Sequence, residues 1–407
     1  MIVTRENAIA LDSTAAPDVL DGHVVLLTNF VAPHKRPMYV ELARRVRQLT
    51  VLVSTPMEPN RHWQPDWQDL DVQMLRTATI HQRWRHPAGF TDPAYVHVPW
   101  NTVSVLRRLA PDAIIAGELG IRSLLATIYA RLVRRTPLVL FAGLSEHTER
   151  GRGWSRHLLR RWLIRRADAF AVNGESGARY LQSLGCPPDA ITRVFYPTLP
   201  GQFDHLPLER AGDRAHHLLF VGQLIERKGV VPFTEALSHW AADHPHRDVR
   251  FTLVGAGPEQ AALEAIETPA NLTLELLGQC GYDRVARAYG EAGIFAFPSL
   301  ADDWGMAVNE ALTAGLPVLG SIYSQAVDEL CESGKTGWRF RGDQPQEIDA
   351  AIEAALSTPS EQLAAMRVAA RERVAPLTPQ NAAGRLLAAV RLAMDASPGR
   401  RSANSAA

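Results

Sequence analysis

Short apolar runs that alternate with segments of helical period restrict the fold of this chain more than any other feature. In the first half the runs are HVVLLTNF, LTVLVS, DAIIAG, PLVLFAG and DAFAVN, each bounded by polar residues or by Gly and Pro. Such runs are typical of strands buried on both faces of a parallel sheet. The segments between them, such as MYVELARRVRQ and IRSLLATIYARLVRR, have helical spacing. The alternation predicts an α/β domain.

The same alternation begins again in the second half, with HLLFVG, RFTLVGAG, LTLELLG, GIFAFPS and LPVLGS. The intervening stretch YPTLPGQFDHLPLERAGDRAHH is rich in Pro, Gly and charge, which is typical of an interdomain linker. A chain of 407 residues also exceeds what one hydrophobic core usually serves. We therefore predict domains at 1–200 and 217–375, joined by a linker at 201–216. Each open sheet should have a binding crevice at the carboxyl ends of its strands.

The C-terminal segment 376–396 contains PQNAAGRLLAAVRLAMDA, which predicts an amphipathic helix with Leu386, Leu387, Val390 and Leu392 mostly on one side. Two placements are open. The helix completes the second domain, or it packs back across the first. The tail at 397–407 is small, polar and without period, and we expect it to be disordered.

Composition excludes several classes of protein. The 43 basic and 43 acidic residues cancel, so the chain has no global field to attract nucleic acid. Cys186, Cys280 and Cys331 form no C-x-x-C pair, which argues against a disulfide framework or a zinc site. The N-terminus does not resemble a signal peptide, and no run approaches the roughly 20 apolar residues that span a bilayer. We expect a cytoplasmic protein.

In FVGQLIERKGVVPF a strand ends in Gly222, and Arg227 and Lys228 precede a helix. Cations between a strand end and a helix start suit a diphosphate, because side chains and backbone amides converge on the same negative charge. The alternative is a solvated charged turn.

The stretch LVGAGPE continues a strand into Gly255 and Gly257, where missing side chains let the backbone approach a ligand or a neighbouring loop. The G-x-G-x-x-G pattern is not completed, because position 260 is Gln. A nicotinamide-dependent oxidoreductase is therefore poorly supported.

The stretch DDWGMAVNEALTAGLPV places Asp302 in a loop and Glu310 in the helix that follows. Paired carboxylates are good acceptors for vicinal sugar hydroxyls, although acids near a helix N-terminus also simply favour its dipole. We expect a leaving phosphate to face the backbone amides at the helix start, those of Trp304, Gly305, Met306 and Ala307. Asp302 and Asp303 are adjacent, unlike the spaced D-x-D that would bridge a metal to a diphosphate, so we predict no metal.

The ordered set VGQLIERKG, LVGAGPE, LLGQCGYDRVARAYGEAGIFAFPSL and DDWGMAVNEALTAGLPV resembles the family-4 retaining glycosyltransferases (glycosyl transferases group 1). The first half agrees more loosely, through NFVAPHKRPMYVELA, PLVLFAG followed by SEHT, and RRADAFAVNGESGARYLQSLGCPPDAITRVFYP. The resemblance implies the GT-B fold, two facing Rossmann-like, doubly wound parallel-sheet domains with a cleft between them.

The resemblance also implies roles for residues. In the E-x7-E signature of the family, Asp302 takes the first place, on the donor sugar, and Glu310 the second, on the nucleotide ribose. Arg227 and Lys228 take the place of the basic pair on the donor diphosphate. Two positions depart from the family pattern: Asp302 is one methylene shorter than the usual Glu, and Gln223 stands where an Arg is common.

The implied reaction is metal-independent transfer of a sugar, with retention, from a nucleoside-diphosphate sugar such as a UDP- or GDP-sugar. No cofactor is implied, and the leaving phosphate itself accepts the proton. The acceptor is a saccharide or a lipid-linked molecule, as in polysaccharide, lipopolysaccharide or glycoconjugate biosynthesis. Three alternatives stay open: a sugar-nucleotide 2-epimerase, a non-catalytic sugar-nucleotide-binding protein, and a structural scaffold.

First-domain candidates each have two interpretations. His34, Lys35 and Arg36 follow the first strand, where they meet acceptor or phosphate or form an ordinary strand exit. Glu146 and His147 follow PLVLFAG; the family often places a polar or His residue near the donor sugar there, yet a lone His is commonly structural. We count His147 with the catalytic candidates and Glu146 with the acceptor candidates.

The segment Arg150–Arg166 holds seven arginines, with Leu158, Leu159, Trp162 and Leu163 on one predicted helical arc. One interpretation is an interfacial helix on an anionic membrane, which would place a lipid-linked acceptor at the inner membrane face. The other is a helix packed on its own domain with a solvated basic face. Nucleic acid is not expected, because the chain lacks a recognised binding module.

Overall fold

The computed structural model describes residues 19–59, 65–199, 201–210 and 212–396. The chain divides into two compact units. Unit 1 comprises the described residues of Met1–Trp84, Asp92–Pro197 and Leu377–Ala407, and unit 2 comprises those of Arg85–Thr91 and Thr198–Pro376. The predicted disordered tail at 397–407 lies outside the described residues.

Unit 1 is built on a parallel sheet with helices between its strands. Its strands are β1 (Leu20–Thr28), β2 (Val46–Val53), β3 (Asp71–Met74), β4 (Thr77–Arg85), β5 (Thr91–Pro99), β6 (Ala113–Gly117), β7 (Leu138–Ala142), β8 (Ala169–Val172) and β9 (Ile191–Arg193). Its helices are α1 (Arg36–Ala43), α2 (Thr102–Leu109), α3 (Ile121–Ile128), α4 (Trp154–Ile164) and α5 (Glu175–Ser183), joined by a C-terminal helix described below.

The strand order in unit 1 is β3-β2-β1-β6-β7-β8-β9, and the pairs are parallel. Strand β7 is buried throughout, and β1 and β6 are buried except at one end, as their continuous apolar runs predict. The order reverses between β1 and β6, which creates a crevice at the carboxyl ends of those two strands.

Strands β4 and β5 form a separate two-stranded ribbon that the sequence analysis does not predict. Every residue of β4 from Ala78 to Arg83 is exposed. A strand that is exposed on both faces needs no alternation of apolar and polar residues, so the sequence contains no pattern that predicts this ribbon.

Unit 2 has the same architecture, a parallel sheet with helices between its strands. Its strands are β10 (Leu218–Val221), β11 (Val249–Val254), β12 (Leu272–Gly278), β13 (Ile294–Phe297), β14 (Val318–Ser321) and β15 (Gly337–Phe340). Its helices are α6 (Val230–Asp243), α7 (Gln260–Glu264), α8 (Tyr282–Glu291), α9 (Met306–Thr313), α10 (Gln325–Leu330), α11 (Pro345–Leu356) and α12 (Ser360–Val374). The order β12-β11-β10-β13-β14-β15 reverses between β10 and β13.

Helix α1 is shorter than predicted from MYVELARRVRQ. It ends at Ala43, and Val46 already belongs to β2, where it pairs with Leu20 of β1. Val46 and Leu49 are needed in the buried sheet, so tertiary pairing overrides the helical pattern at this end.

The C-terminal helix α13 (Pro379–Ala396) belongs to unit 1 and not to unit 2. It packs against α1 and against strands β6 to β9. Leu386, Leu387 and Val390 are buried there, while Leu392 is about one third exposed at 36%. Of the two placements left open by the sequence, packing on the first domain is the one observed.

The segment predicted as a linker, 201–216, groups with unit 2 in its described residues. Phe203 is buried and its ring lies 4.7 Å from that of Tyr289. Arg210 is also buried and donates hydrogen bonds to the carbonyls of Ala292 and Tyr289. The segment therefore has the composition of a linker, but its described residues are packed against unit 2.

Candidate active site

The loops that follow β10 and β13 meet at the point where the strand order of unit 2 reverses. Gly229 has φ +63°, and a Cβ there would lie 2.4 Å from the carbonyl oxygen of Pro298. The Leu300 amide donates to the carbonyl of Arg227 at 2.8 Å, and the Arg227 guanidinium donates to the carbonyl of Ala301 at 2.8 Å. The two loops are thereby fixed against each other.

Three predicted site residues come together on these loops. The Lys228 ammonium donates a hydrogen bond to the Asp302 carboxylate, and the Arg227 guanidinium lies 3.5 Å from the same oxygen. Lys228 is 9% exposed and its ammonium lies 4.7 Å from the centre of the Phe297 ring. Two cations and one carboxylate therefore leave a net positive charge at this crevice.

The charge state of Asp302 follows from these neighbours. Burial acts to raise the pKa of its carboxyl, but the nearby Lys228 ammonium and Arg227 guanidinium outweigh burial and hold the pKa below its usual range. The backbone amide of Trp304 also donates to this carboxylate. Asp302 is therefore ionised at neutral pH and acts as the counter-ion of the basic pair.

Glu310 lies in α9 and has a different partner. The Tyr289 hydroxyl donates to its carboxylate at 3.0 Å and lies 3.4 Å from the carbonyl oxygen of Ala307. Burial raises the pKa of the Glu310 carboxyl to about 7, although the hydrogen bond from Tyr289 acts to lower it. Tyr289 is buried, and its ring packs on those of Phe203 and Phe295.

The glycines after β11 allow close approach to a neighbouring loop. A Cβ at Gly255 would lie 1.8 Å from the carbonyl oxygen of Gly222, and one at Gly257 would lie 2.1 Å from that of Leu224. The Leu224 amide also donates to the carbonyl of Ala256 at 3.0 Å. The contact with a neighbouring loop is therefore present, and an approach of these glycines to a ligand stays a prediction.

The start of α9 is anchored by Trp304 and Gly305. Trp304 is 2% exposed, its indole donates to Asn309 at 2.9 Å, and its carbonyl accepts from the Ser324 hydroxyl at 2.7 Å. Gly305 has φ +105°, and a Cβ there would lie 2.6 Å from the same hydroxyl oxygen. These contacts fix the position of the helix start, at Met306 and Ala307, beside Asp302.

In unit 1, His34 and Lys35 lie against Tyr196. The His34 and Tyr196 rings are 5.2 Å apart, and the Lys35 ammonium lies 4.9 Å from the centre of the Tyr196 ring and 5.7 Å from that of Phe141. Lys35 also lines a pocket at the carboxyl edge of the sheet.

Arg36 and Glu146 already have protein partners. Arg36 donates to the carbonyl of Gln68 at 2.9 Å, and its guanidinium lies 3.4 Å from both Asp66 and Asp69. The Glu146 carboxylate accepts a hydrogen bond from Arg179 at 2.8 Å. Lys35 and His147, which are adjacent in sequence to Arg36 and Glu146, are half-buried.

Helix α4 turns the predicted apolar arc mostly inward. Leu163 is fully buried, and Leu159 and Trp162 pack against the core of unit 1. Leu158 departs from the prediction, because it is 55% exposed and shares an outward face with Trp154, which is 77% exposed. By helical spacing the exposed Arg161 and Arg165 share that face, while Arg156 lies on another side of the helix, 3.6 Å from Glu149.

Two residues of interest were missed by sequence reasoning. Tyr289 lies in the middle of α8, and no local pattern distinguishes it from a core tyrosine. Glu118 directly follows β6, in GELG, and has φ +65°. The rule that site residues follow parallel strands, applied above to other strands, could have found Glu118.

Among the residues that the structure describes, no group of three or more His, Cys, Asp and Glu side chains could hold a metal ion. None of their helices is both long enough and apolar enough to cross a bilayer.

Sequence comparison finds curated relatives that match part of the chain. A putative colanic acid biosynthesis glycosyltransferase, WcaL, of Salmonella typhimurium is 27% identical over 236 residues, 56% of this chain and 57% of WcaL. The sulfoquinovosyl transferase SQD2 of Arabidopsis thaliana is 26% identical over 281 residues, 62% of this chain and 52% of SQD2. The chain thus spans about half the length of these relatives.

Structure comparison covers nearly the whole chain. The apo lipopolysaccharide outer core galactosyltransferase WaaB superposes with a TM-score of 0.65 at 11% identity, over 91% of this chain and 99% of WaaB. The Anabaena protein HepE in complex with UDP gives a TM-score of 0.64 at 14% identity, over 91% and 99%. These likenesses establish the fold, GT-B.

Family models match both units. The model of a glycosyl transferase 4-like domain matches residues 31–197, and the model described as glycosyl transferases group 1 matches residues 215–358. Together with the fold and the relatives, these matches show that the chain belongs to the group 1, family-4 glycosyltransferases.

Proposed function

We propose that the protein transfers a sugar from a nucleoside-diphosphate sugar to a saccharide or lipid-linked acceptor in the synthesis of a polysaccharide or lipopolysaccharide. Membership of a glycosyltransferase family and the WcaL and WaaB likenesses support this proposal. The observation that carries it is the group of Arg227, Lys228 and Asp302 at the strand-order reversal of unit 2.

The donor diphosphate is assigned to Arg227, Lys228 and the start of α9. Departure of the nucleotide leaves negative charge on phosphate oxygens, and pre-positioned cations stabilise that charge without a reorganisation cost. Lys228 is held by Asp302 and by the Phe297 ring before any donor arrives. The helix N-terminus at Met306 adds its dipole to the same charge.

The nucleotide ribose is assigned to Glu310. Its carboxylate has two oxygens, and one of them accepts from Tyr289. The other is available in the proposed complex for a ribose hydroxyl, which a carboxylate binds well. The HepE complex with UDP makes UDP the first nucleotide to test, ahead of GDP.

The proposed mechanism needs no metal and retains the anomeric configuration. The cations that neutralise the leaving phosphate are supplied by side chains, so a divalent ion has no necessary role in this scheme. Retention follows in the proposal from attack on the face from which the nucleotide leaves, with the departing phosphate as proton acceptor.

A lipid-linked acceptor is consistent with the outward face of α4. Trp154 and Leu158 project from this face among exposed arginines, a composition that suits an anionic membrane surface. We include contact with the inner face of a membrane in the proposal on this ground.

Calorimetric titration of the purified protein with UDP and GDP in the presence of EDTA tests the donor assignment. We expect binding in EDTA to the wild type and strongly reduced binding to Lys228→Ala. Binding that requires a divalent ion would exclude the metal-independent scheme.

A further inference from the structure

The loop that follows β13 carries Asp302 and leads into α9, and it lies between two other loops of unit 2. Strands β10, β13 and β14 are parallel neighbours in that order, so the loops at their carboxyl ends leave the same edge of the sheet. On the β10 side, Lys228 contacts the Asp302 carboxylate. On the β14 side lies segment 323–326, to which the proposed function assigns no role.

The segment on the β14 side holds two backbone carbonyls of the loop after β13. The Trp304 carbonyl accepts hydrogen bonds from the Ser324 hydroxyl at 2.7 Å and from the Ala326 amide at 2.9 Å. The Asp303 carbonyl accepts a hydrogen bond from the side-chain amide of Gln325 at 2.8 Å. Ser324 and Gln325 are 0% and 1% exposed, so both side-chain hydrogen bonds are shielded from solvent.

These hydrogen bonds fix the direction of two backbone amides. The peptide units of this loop are trans and planar, so the N–H of each residue points opposite to the carbonyl of the residue before it. Because the Asp303 carbonyl is turned toward the start of α10, the Trp304 amide faces away from α10, and it donates to the Asp302 carboxylate. Because the Trp304 carbonyl is turned the same way, the Gly305 amide also faces away from α10.

An amide turned away from α10 faces the side of the crevice that carries the basic pair. A Cβ at Gly305 would lie 2.9 Å from a carbon of the Phe297 ring, and the Lys228 ammonium lies 4.7 Å from the centre of the same ring. Gly305 and Lys228 are therefore neighbours across one ring. In the part of the chain that the structure describes, the amides of Gly305, Met306 and Ala307 donate no hydrogen bond. Their direction suits an anion at the start of α9.

The direction of these amides matters because negative charge develops on the phosphate as the sugar leaves. Dipoles that already point at that charge stabilise it without a cost of reorganisation. If the peptide unit between Trp304 and Gly305 rotated by half a turn, it would present a carbonyl oxygen to the phosphate and repel it. The hydrogen bond from Ser324 to the Trp304 carbonyl opposes this rotation.

We propose that Ser324 and Gln325 are positioning residues of the donor site, which hold the amides of the loop after β13 in the direction that a leaving diphosphate requires. Ser324 acts on the Gly305 amide. Gln325 acts on the Trp304 amide, which donates to Asp302. Neither side chain contacts the nucleotide in this scheme, because both act through backbone carbonyls. The inference rests on the proposed function, since it presupposes a nucleoside diphosphate in unit 2.

Calorimetric titration of the full chain in EDTA tests the inference, with UDP and UMP, GDP and GMP, and ADP and AMP as paired probes. The diphosphate of each pair carries the terminal phosphate that is assigned to the amides, and the monophosphate lacks it. In the pair that the wild type binds, Ser324→Ala and Gln325→Met should each weaken diphosphate binding roughly three- to tenfold and leave monophosphate binding unchanged. The loss is partial in Ser324→Ala, because the Ala326 amide still holds the Trp304 carbonyl.

The ratio of the two affinities separates positioning from a general disturbance of unit 2. A general disturbance would weaken both members of a pair, because contacts with the base and the ribose would also be lost. Ser238→Ala is the matched control. Ser238 is buried in α6 of the same unit, outside the loops of the site, and its hydroxyl donates to the carbonyl of Glu267 at 2.8 Å. This control should leave both affinities unchanged.

Failure of the inference and failure of the proposed function give different results. A wild type that binds none of these nucleotides contradicts the proposed function and the inference with it. A wild type that binds a diphosphate no better than its monophosphate contradicts the inference. If a variant keeps the wild-type ratio, or weakens both nucleotides equally, the positioning role of the residue that it replaces is overturned, while the donor assignment stands.

Discussion

At the scale of single residues, the proposed donor site depends on charges that are balanced before any ligand binds. Asp302 neutralises part of the charge of Lys228 and Arg227, and this contact also orients the two cations. The resemblance to the family assigns the first acid of the signature to the donor sugar. The shorter Asp302 instead contacts the cations, and a bound diphosphate would have to compete with it for them.

Replacing Lys228 with Ala should lower the affinity for UDP roughly ten- to a hundredfold, because a hydrogen bond between charged groups is worth about 1.5–3 kcal/mol. The variant also removes the ammonium that pairs with the Asp302 carboxylate and leaves the Arg227 guanidinium 3.5 Å from it. Calorimetric titration measures the loss. Lys335→Ala, at an exposed side chain, is the control and should bind UDP normally. Equal affinities would remove Lys228 from the site.

Nucleotide binding should depend on pH through Glu310. Its raised pKa, about 7, means that the carboxylate that accepts ribose hydroxyls is lost as the pH falls below 7. We expect UDP affinity to fall by up to tenfold per pH unit below that value. The terminal phosphate also titrates near pH 6, so Glu310→Gln provides the baseline. A wild type whose pH profile parallels that of Glu310→Gln would contradict the role of Glu310.

The raised pKa of Glu310 also predicts how the stability of the protein changes with pH. In the folded protein Glu310 keeps its proton up to about pH 7, whereas in the unfolded chain it loses the proton near the ordinary pKa of 4.5. Raising the pH from 4.5 to 7 therefore favours the unfolded chain and lowers the free energy of unfolding. Glu310→Gln resembles the protonated form, so it should match the wild type near pH 4.5 and melt at a higher temperature at pH 8. Differential scanning calorimetry at the two pH values measures this difference, and a Glu310→Gln variant that melts lower at pH 8 would refute it.

Tyr289 should set the midpoint of this pH dependence. Its hydroxyl stabilises the ionised carboxylate of Glu310, so Tyr289→Phe should move the midpoint of UDP binding upward by about one pH unit. Tyr282→Phe, on the same helix, removes a hydroxyl that donates to the carbonyl of Gln202 and should leave the midpoint near its wild-type value. A Tyr289→Phe variant with an unmoved midpoint would exclude this coupling.

At the scale of secondary-structure elements, the outward face of α4 is the part of the membrane proposal that can be tested alone. Replacing both Trp154 and Leu158 with Ser should weaken co-sedimentation with vesicles rich in phosphatidylglycerol. Stability should change little, because both side chains are largely exposed. Val368→Ser, at another exposed apolar residue, is the control. Wild-type binding by the double variant would leave α4 as an ordinary packed helix with a solvated basic face.

The sequence predicts elements well where burial imposes a pattern on them. Runs such as DAIIAG and GIFAFPS lie in β6 and β13, and both sheets are parallel as expected. The exposed ribbon β4–β5 imposes no such pattern and was missed. In α4 the predicted arc is right for Leu159, Trp162 and Leu163 but wrong for Leu158, because helical spacing alone does not locate the edge of a buried face.

Site residues, too, were predictable only where the sequence carries a local pattern. Arg227, Lys228 and Asp302 were predictable because motifs at strand ends mark them, and the structure brings them into contact. Tyr289 was not predictable, because its partner Glu310 lies 21 residues away in sequence and in another helix. The contacts of Gly255 and Gly257 with a neighbouring loop could not be predicted from the sequence. A glycine at the end of a strand allows close approach of a ligand as well as of a loop.

At the scale of the whole molecule, the two units each contain a sheet whose strand order reverses once, and the reversal in unit 2 carries the proposed donor site. The unit 2 site is rich in cations and is assigned to the nucleotide. The C-terminal helix α13 completes unit 1, although it follows unit 2 in the chain.

Perturbing α13 should therefore affect unit 1 without affecting nucleotide binding. Leu386 is fully buried, and Leu386→Ala should cost about 2–5 kcal/mol of stability, which scanning calorimetry would detect as a lower melting temperature. Leu392→Ala, at a partly exposed position of the same helix, should have a smaller effect. A parallel loss of UDP affinity in folded Leu386→Ala would contradict the assignment of the nucleotide to unit 2 alone.

The most direct test of the central claim is calorimetric titration of the wild type, Lys228→Ala and Glu310→Gln with UDP, GDP and ADP, each in EDTA. The proposal predicts that one of these nucleotides binds the wild type without a divalent ion and that both variants bind it more weakly. Binding to none of them, binding that appears only with a divalent metal, or variants that bind as the wild type does would contradict the claim that unit 2 is a metal-independent donor site.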